Sequence, residues 1–437
     1  MFKTLVNAFK IEQLRKRIIY TFWILVVVRL GSQLPIPGID VSQVKEFLES
    51  VVGASYSFID SFTGGSFLSM SVFALGVTPY ITASIIMQLL TIAIPALEEM
   101  HRDGEDGKKK MNQITRYVSV GLAVIESAGL AIGFSRQGAL GDSNIFTIIT
   151  IILTLTAGSC IVMWLGERIS DKGIGNGISI VLLINIVSRM PSDFANLYEM
   201  FVKNKDIVQA VIAICVIAAV VIGTTILVII LQDAERRIPV QYSKKVQGRK
   251  MAGGQSSYIP LKVNTAGVIP IIFASSLLSV PAIIINLFNI TPGTTWQKIL
   301  QGLNQNYWFN PEYPWASVGL IIYILLNIIF AYFYTSITFN PMEVANNMKK
   351  SGGFIPGIRP GKPTQDYLNK ILNYIVLIGV AGLLIVALIP IFFNGMFKAD
   401  VSFGGTSLII IVGVILETMK QLESQMLVRN YSGFLND

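Results

Sequence analysis

The chain has 437 residues, of which 52% are hydrophobic and 14% are charged, and its formal net charge is +8. Its mean hydropathy of +0.61 excludes an ordinary soluble globular protein and indicates a polytopic helical membrane protein. In such a protein, excess positive charge is more typical of cytoplasmic loops facing anionic lipids or acidic partners than of nucleic acid binding. The single histidine excludes His-rich metal sites and disfavours a Ser-His-Asp centre. We therefore expect neither an enzyme nor a bound cofactor or metal.

Ten apolar segments approach the roughly 20 residues that a helix needs to cross a bilayer. The fifth is short and begins in the stretch Gly173-Ile-Gly-Asn-Gly177, which we interpret as a closely packed helix start. A dinucleotide-binding loop is disfavoured because no strand precedes this stretch. The pattern predicts an all-α polytopic fold with spans at 18–34, 72–94, 116–134, 145–165, 174–190, 208–231, 266–288, 315–338, 371–393 and 404–424.

The distribution of lysine and arginine predicts that both termini are cytoplasmic. With that orientation the cytoplasmic segments carry 26 of these residues and the outer loops carry 7, as the positive-inside rule requires. The ten spans divide into an N-terminal half, 1–190, and a C-terminal half, 208–437, joined by an outer hinge loop at 191–207. Because five spans is an odd number, related halves would be inverted repeats with the working site at their interface.

Residues 56–94 form an interrupted segment. A short amphipathic piece, Tyr56–Phe62, ends at Gly64-Gly65, and the following apolar run contains glycine, proline and polar residues. Irregular backbone at membrane depth persists only where protein or a water-filled cavity surrounds it. We predict that this segment lines an internal cavity with the short helix inside it, and a plain re-entrant loop is the alternative.

Two long cytoplasmic loops, 232–265 and 339–370, combine paired basic residues with glycine, proline and apolar residues. Basic groups presented on a folded loop suit a large acidic partner such as the ribosome. An ordinary topology signal would explain the charges but not the structured framework around them.

Ionisable residues are rare within the predicted spans, where they are functional candidates by default. They are Arg29, Glu126 and Glu417. Glu126 precedes Ser-Ala-Gly, which suits helix packing, and Glu417 lies near a cytoplasmic end. We favour structural pairing or snorkelling over a proton relay.

Several distinct motifs occur along the chain from the second span to the tenth, in the order in which a known family has them. They are Phe73-Ala-Leu-Gly-Val-Thr-Pro-Tyr-Ile-Thr-Ala-Ser-Ile, Trp164-Leu-Gly-Glu, Gly173-Ile-Gly-Asn-Gly-Ile-Ser-Ile, Pro260-Leu-Lys-Val-Asn-Thr-Ala-Gly-Val-Ile-Pro, Phe339-Asn-Pro, Phe354-Ile-Pro-Gly-Ile-Arg-Pro-Gly and Phe403-Gly-Gly-Thr-Ser-Leu. On these motifs the chain strongly resembles the SecY family, the central subunits of bacterial protein-conducting channels.

The resemblance implies ten transmembrane helices in two inverted five-helix halves around a central hourglass pore. It places a plug helix at about 57–67, with Phe58, Ile59, Phe62, Gly64 and Gly65. It also places an aliphatic pore ring at Val77, Ile81, Ile178, Leu182, Ile272 and Ile410. Such a ring gives a passing polypeptide no fixed polar partner and resists hydration. For each residue taken singly, ordinary core packing is the alternative.

The resemblance further implies a lateral gate that releases signal sequences and transmembrane segments into lipid. Plausible polar contacts across it are Thr82 and Gln88 on one side and Ser275 and Ser276 on the other. Static helix packing would use the same residue types. Interhelical hydrogen bonds in membranes average only about 0.6 kcal/mol, so a few of them could close a gate that still yields to a hydrophobic segment.

The long loops match the family's docking sites for the SecA motor and the ribosome. Arg359 is the strongest single candidate, and the others are Lys349, Lys350, Arg236, Arg237, Lys244, Lys245, Arg249 and Lys250. The implied partners also include SecE, SecG, signal sequences, nascent polypeptides and anionic lipids, with YidC and SecDF as further candidates. The implied location is the bacterial plasma membrane, and the driving energy comes from SecA, the ribosome or the membrane potential.

Two rival interpretations remain open at this point. Ten spans, a broken helix and inverted halves also fit a secondary transporter for a small solute. Such a transporter needs polar or ionisable groups at the midplane, where the six ring positions are all aliphatic. A non-conducting membrane scaffold is the second rival, and it leaves the plug and the ring without a purpose.

Overall fold

The structure is a computed structural model, and it divides the chain into two compact units. It describes residues 2–37, 63–136, 144–203, 206–242, 256–275, 314–397 and 406–433, together with a few shorter pieces. Among these residues, the first unit comprises those of 1–198 and 414–433, and the second comprises those of 199–413.

The first unit is helical. Its helices are α1 (Phe2–Lys10), α2 (Glu12–Gly31), α3 (Thr78–Ala93), α4 (Pro95–Arg102), α5 (Gly104–Arg136), α6 (Ile145–Lys172) and α7 (Gly177–Phe201). Helix α5 packs against both α3 and α6, and α2 packs against α6. This arrangement surrounds the irregular backbone of residues 63–77 with protein on several sides.

The second unit combines long helices with short strands. In chain order its elements are α8 (Ile207–Asp233), β1 (Glu235–Tyr242), β2 (Lys245–Gln247), β3 (Lys250–Ala252), β4 (Ser256–Lys262), a helical stretch at 269–275, a 3-10 turn (Pro314–Ser317), α9 (Val318–Thr338), α10 (Pro341–Ser351), β5 (Gly353–Phe354), α11 (Lys362–Phe397) and α12 (Thr406–Gly433). The strands form an antiparallel sheet of order β4-β1-β5 and a β2-β3 hairpin. The last part of α12, from Val414, belongs to the first unit.

Most predicted spans coincide with helices of the described residues. In the part of the chain that the structure describes, six stretches are long and apolar enough to cross a membrane, namely those containing α5, α6, α7, α8, α9 and α11. Helix α8 is the most apolar of them, with a mean hydropathy of 3.1 and only 17% of its apolar window buried. It therefore presents most of its surface to the surroundings, as a lipid-facing helix does.

Two of the differences from the predicted boundaries affect the regions around the candidate site. The second span was predicted at 72–94, but α3 begins only at Thr78 because residues 72–77 continue the irregular backbone. The predicted outer loop at 191–207 is helical as far as Phe201, since α7 continues through Pro191. Hydropathy locates apolar residues, but it does not distinguish a packed irregular segment from a helix.

Candidate channel site and cytoplasmic surface

The first pair of predicted ring residues stands where the backbone becomes helical. Val77 is the N-cap residue of α3 and Pro79 lies in its first turn, where the missing N–H of proline costs no helical hydrogen bond. The Ile81 amide donates to the Val77 carbonyl at 3.0 Å. Val77 is buried and Ile81 is half-buried. The two aliphatic side chains therefore share one helix face directly after the break.

The irregular segment 63–77 is fixed by hydrogen bonds to the end of the first span. Pro35 and Ser71 form an antiparallel bridge. Beside it, the Ile36 amide donates to the Met70 carbonyl and the Val72 amide donates to the Leu34 carbonyl, both at 2.9 Å. Four buried side chains of the segment also join a core with α5 and α6, namely Phe67, Met70, Ala74 and Leu75. The backbone that leads into Val77 is thus a packed part of the fold.

The second pair of ring residues, Ile178 and Leu182, lies directly after a close contact between two helices that requires glycine on both. A Cβ on Gly177 would overlap the carbonyl oxygen of Gly166 on α6, and a Cβ on Gly166 would lie 3.0 Å from Ile178 Cγ1. Helices α6 and α7 therefore approach through their glycines. This confirms the interpretation of the glycine-rich motif as a closely packed helix start. Ile178 is half-buried and Leu182 is buried.

The last two ring residues belong to the second unit. Ile272 lies in the helical stretch 269–275, where its amide donates to the Val268 carbonyl at 3.2 Å, and its side chain is half-buried. Ile410 lies near the start of α12 and is 4% exposed. The six positions are thus divided between the two units, and their assembly into a ring stays a prediction.

The described part of the plug assignment is its glycine pair. Gly64 and Gly65 have φ values of 69° and 87°, in the left-handed region that glycine adopts without a steric penalty. Nη1 of Arg29 donates to the Gly64 carbonyl at 3.3 Å. Phe58, Ile59 and Phe62 lie outside the described residues.

The predicted gate residues have different surroundings. Thr82 Oγ1 donates to the Thr78 carbonyl at 3.1 Å within its own helix, and Gln88 of α3 is exposed. In the second unit, Ser275 is 2% exposed and its side chain hydrogen-bonds with that of Tyr323 on α9. Ser276 lies outside the described residues. Of the three that are described, Gln88 is the one whose polar group is presented at the surface of its unit.

The two long loops that we predicted to be cytoplasmic, 232–265 and 339–370, fold together into one structure. Strand β1 pairs with β4 along its length and then with β5 of the other loop, where Gln241 stands opposite Phe354. A shared core joins the strands to α10 and α11. It consists of Ile238, Val240, Leu261, Met348, Ile355, Leu368, Leu372 and Ile375. We call this structure the basic platform.

The predicted docking residue Arg359 lies on an ordered tip of the platform. Gly357 and Gly361 flank it with φ values of 83° and 106°, and Thr364 Oγ1 donates to the Arg359 carbonyl at 2.9 Å. The Arg359 side chain itself is exposed. The tip therefore presents a guanidinium on a fixed backbone, which lowers the entropy lost when a partner binds.

Lys349 and Lys350 are exposed in the last turn of α10. The Asn340 side chain accepts hydrogen bonds from two amides at the start of this helix, and Gly352 ends it with a φ of 72°. Cations at a helix C-terminus are favoured by the helix dipole. This pair is thus built into a well-capped helix of the platform.

The remaining cations lie on or near the strands. Arg236 is exposed on β1. Arg237 donates to Glu235 at 2.7 Å, and its guanidinium lies 4.9 Å from the centre of the Tyr258 ring. The Glu235 carboxylate, which accepts this hydrogen bond, raises the pKa of Arg237. For Lys245 and Lys250 only the backbone, on β2 and β3, is described; Lys244 and Arg249 lie outside the described residues.

The ion pair between α5 and α6 was not anticipated from the sequence. Nε of Arg116 on α5 and Oε1 of Glu167 on α6 lie 2.6 Å apart. Glu167 is the last residue of the motif Trp164-Leu-Gly-Glu. This motif was the feature of the sequence that could have indicated the ion pair. The pair joins α5 to α6 in the first unit.

The described residues combine helices of membrane length, enclosed irregular backbone and a folded basic platform. These features are typical of a membrane channel subunit. Among the described residues, no group of three or more His, Cys, Asp or Glu side chains could hold a metal ion. The SecY family model matches residues 71–419. The chain belongs to the SecY family.

Relatives match the chain over its whole length. The protein translocase subunit SecY of Streptomyces coelicolor is 45% identical, with both chains fully covered. That of Streptomyces lividans is 46% identical over 98% of each chain, and that of Corynebacterium glutamicum is 40% identical over 99% of each chain. The chain is therefore a protein translocase subunit of the bacterial plasma membrane, a channel component and not an enzyme.

Solved structures support the same fold. A structure described as that of a protein conducting channel matches with a TM-score of 0.62 and 18% identity, covering 94% of this chain and 92% of that one. Sec61 in the canine ribosome-channel complex matches with a TM-score of 0.60, 18% identity and the same coverage. These likenesses confirm the predicted all-α fold of ten transmembrane helices.

Proposed function

We propose that Val77, Ile81, Ile178, Leu182, Ile272 and Ile410 form the constriction through which this subunit passes unfolded secretory polypeptides. The observation that carries the proposal is the position of the aliphatic pairs in the first unit. Val77 and Ile81 begin α3, and Ile178 and Leu182 begin α7, each directly after a glycine-rich irregular segment. In many membrane proteins the functional site lies at a helix start that follows enclosed irregular backbone.

The chemistry of these positions favours a polypeptide over a small solute. A transporter holds its substrate with polar or charged groups near the midplane. Aliphatic side chains instead offer no specific partner, so they allow every residue type to pass and none to bind tightly. Narrow apolar constrictions also lose water readily, which limits the leak of ions around the chain.

A photocrosslinking experiment tests the constriction. A photoreactive residue at Ile81 or Ile272 should form adducts with a stalled secretory chain, because the chain must pass within contact distance of both. The same residue at Ile125, which is 69% exposed on α5, should form adducts with lipid and not with the chain. Adducts at Ile125 alone, with Ile81 and Ile272 silent, would remove the conduit proposal.

We assign the polar contact that keeps the lateral gate closed chiefly to Gln88. Its side chain is exposed on α3, whereas Thr82 and Ser275 have hydrogen bonds within their own units. Ser276 remains a candidate from the resemblance. A contact of this kind holds the gate weakly, so a hydrophobic signal sequence can compete with it.

Replacing Gln88 with Leu should increase secretion of a client with a weak signal sequence about threefold, the equivalent of one average interhelical hydrogen bond. Secretion is measured by pulse labelling over a series of signals of decreasing hydrophobicity. Gln113→Leu is the matched control, since Gln113 is also exposed but lies on α5. Equal secretion by both variants across the series would rule out the polar contact.

We also propose the orientation of the subunit in the membrane and the partners that it binds. Both termini face the cytoplasm, where the platform binds SecA and the ribosome through Arg359 and the neighbouring cations. The platform is supported in this role by its shared core and by the exposed Arg359 side chain on an ordered tip. SecE, SecG, anionic lipids, YidC and SecDF complete the set of proposed membrane partners.

A further inference from the structure

Helix α1 exposes large apolar side chains although it is packed onto the rest of the first unit. The helix is amphipathic, and its residue Ala8 is fully buried in a core that it shares with Leu14 and with residues of α12. Val6 and Phe9 are instead 57% and 44% exposed. At about 100° per residue, Val6 and Phe9 lie about 60° apart around the helix, and Ala8 lies about 100° or more from either. The larger apolar side chains therefore form a separate face, which no described residue buries.

The connection between α1 and α2 directs α1 away from the axis of the first span. Ile11 alone separates the two helices, and its backbone is extended, with φ −87° and ψ 113°. Its amide donates to the Ala8 carbonyl at 3.2 Å, and its carbonyl accepts from the Arg15 amide at 2.9 Å. One extended residue between two helices turns the chain sharply. With nine residues, α1 is also too short to cross a bilayer, which takes about 20.

The start of α2 changes from charged to apolar along one face. Arg15, Ile19 and Phe22 are spaced at i, i+4 and i+7, so they share this face. Arg15 is exposed, and Ile19 and Phe22 are 44% and 62% exposed. A cation one turn before exposed apolar and aromatic side chains is typical of a membrane interface, because its stem packs on apolar surface while its charge reaches the headgroups. The lipid-exposed surface of α2 thus begins two turns after α1 ends.

The cations beside α1 are available to bind anions. Residues 1–17 contain five lysines and arginines and one acidic residue. Lys16 pairs with that residue, Glu12, at 2.8 Å. Lys10, Arg15 and Arg17 are exposed, and among the described residues no carboxylate pairs with them. Each cation close to a bilayer strengthens attraction to an anionic surface roughly fivefold.

We propose that α1 is an interfacial anchor for anionic phospholipid. Val6 and Phe9 insert between the headgroups, and Lys10, Arg15 and Arg17 bind the phosphate groups around them. An exposed apolar face combined with nearby cations is the combination by which interfacial helices bind anionic membranes. Lipid is favoured over a partner protein because the chain enters the lipid-exposed surface of α2 directly after these cations. The inference rests on the proposed function only in that it gives the anionic lipids named there a site.

Fluorescence quenching by spin-labelled lipids tests the insertion, in the channel complex reconstituted into nanodiscs of equal parts phosphatidylcholine and phosphatidylglycerol. Cys160 and Cys215 are first replaced by serine, so that one introduced cysteine carries the fluorophore. A label on Phe9→Cys should be quenched strongly by nitroxides near the headgroup. Asn7→Cys is the matched control, because Asn7 is exposed but lies about 160° around the helix from Phe9, and its label should be quenched at least threefold less.

Two results would overturn the insertion. One is equal quenching of the labels at positions 7 and 9. The other is quenching at position 9 in the isolated subunit that disappears in the complex, which would make this face a protein interface. Val6→Cys provides a second label on the same face and should behave as position 9 does. An unchanged thermal midpoint shows that each labelled protein is folded.

The headgroup part of the inference is tested by comparing quenching by spin-labelled phosphatidylglycerol and phosphatidylcholine at position 9. Phosphatidylglycerol should be enriched there at least about threefold, and combined replacement of Lys10, Arg15 and Arg17 by glutamine should remove the enrichment. Enrichment that survives this replacement, or that is absent from the start, would overturn the assignment. The charge-matched control, which should keep the enrichment, removes three cations of the basic platform: Lys349→Gln, Lys350→Gln and Arg359→Gln.

A label at Ile125 separates failure of this site from failure of the wider lipid assignment. Ile125 is 69% exposed on α5, so its label reports the lipid around another part of the protein. Enrichment of phosphatidylglycerol at position 125 and not at position 9 would reject α1 as the site and leave anionic lipids among the proposed partners. Enrichment at neither position would remove anionic lipids from the proposed function as well.

Discussion

Arg359→Glu should abolish SecA-driven transport while the protein still accumulates in the membrane. The exposed guanidinium stands on a tip whose backbone is fixed by Thr364 and by two glycines with positive φ. Reversing its charge replaces an attraction to an acidic partner with a repulsion. For a docking contact of this kind we expect at least a roughly 100-fold loss of transport.

Transport of a radiolabelled precursor into inverted vesicles measures this effect, with the amount of channel in the vesicles determined in parallel. Lys362→Glu is the control, because Lys362 is exposed three residues away and an acidic residue at a helix start is favoured by the dipole. It should reduce transport several-fold at most. Normal transport by Arg359→Glu would remove this residue from the docking surface.

Gly158→Ala should destabilise the first unit strongly, although the change adds a single methyl group. A Cβ at Gly158 of α6 would overlap the carbonyl oxygen of Val72, in the packed backbone that leads into Val77. The neighbouring Ser159 Oγ donates to the Gly76 carbonyl at 3.1 Å, so α6 and this backbone cannot separate without losing a buried hydrogen bond. We expect a cost of about 3 kcal/mol, at the upper end for overpacked cores.

The thermal midpoint of the purified protein in detergent, together with its amount in the membrane, measures this loss. Gly129→Ala is the matched control, because a Cβ at Gly129 of α5 would meet no atom within 4 Å. Alanine there should leave stability unchanged or raise it by about 0.5–1 kcal/mol through better helix propensity. Equal midpoints for the two variants would show that α6 and the irregular segment are not in close contact.

Local patterns in the sequence were sufficient for the class of the protein and for most of its helices. Apolar segments of membrane length predicted the spans, because hydropathy is a property of each segment by itself. The glycine-rich start of the fifth span was also predictable, since glycine spacing indicates close helix packing wherever the partner lies. The aliphatic character of the six ring positions was equally evident, although their roles came from the resemblance.

The tertiary structure decided the features that depend on contacts between distant residues. Gln241 pairs with Phe354 to join the two long basic loops, and Pro35 pairs with Ser71 to hold the irregular backbone. Neither pairing leaves a periodic pattern, because each uses only one or two residues of a segment.

Arg29 also shows which features the sequence determines and which only the tertiary structure decides. The sequence determined that a cation stands in an apolar span, which made Arg29 a candidate for pairing or snorkelling. Only the fold showed that its partner among the described residues is the Gly64 carbonyl, 35 residues further along the chain. A backbone carbonyl is present at every position and so carries no signal in the sequence; which one meets the guanidinium depends on how the chain packs.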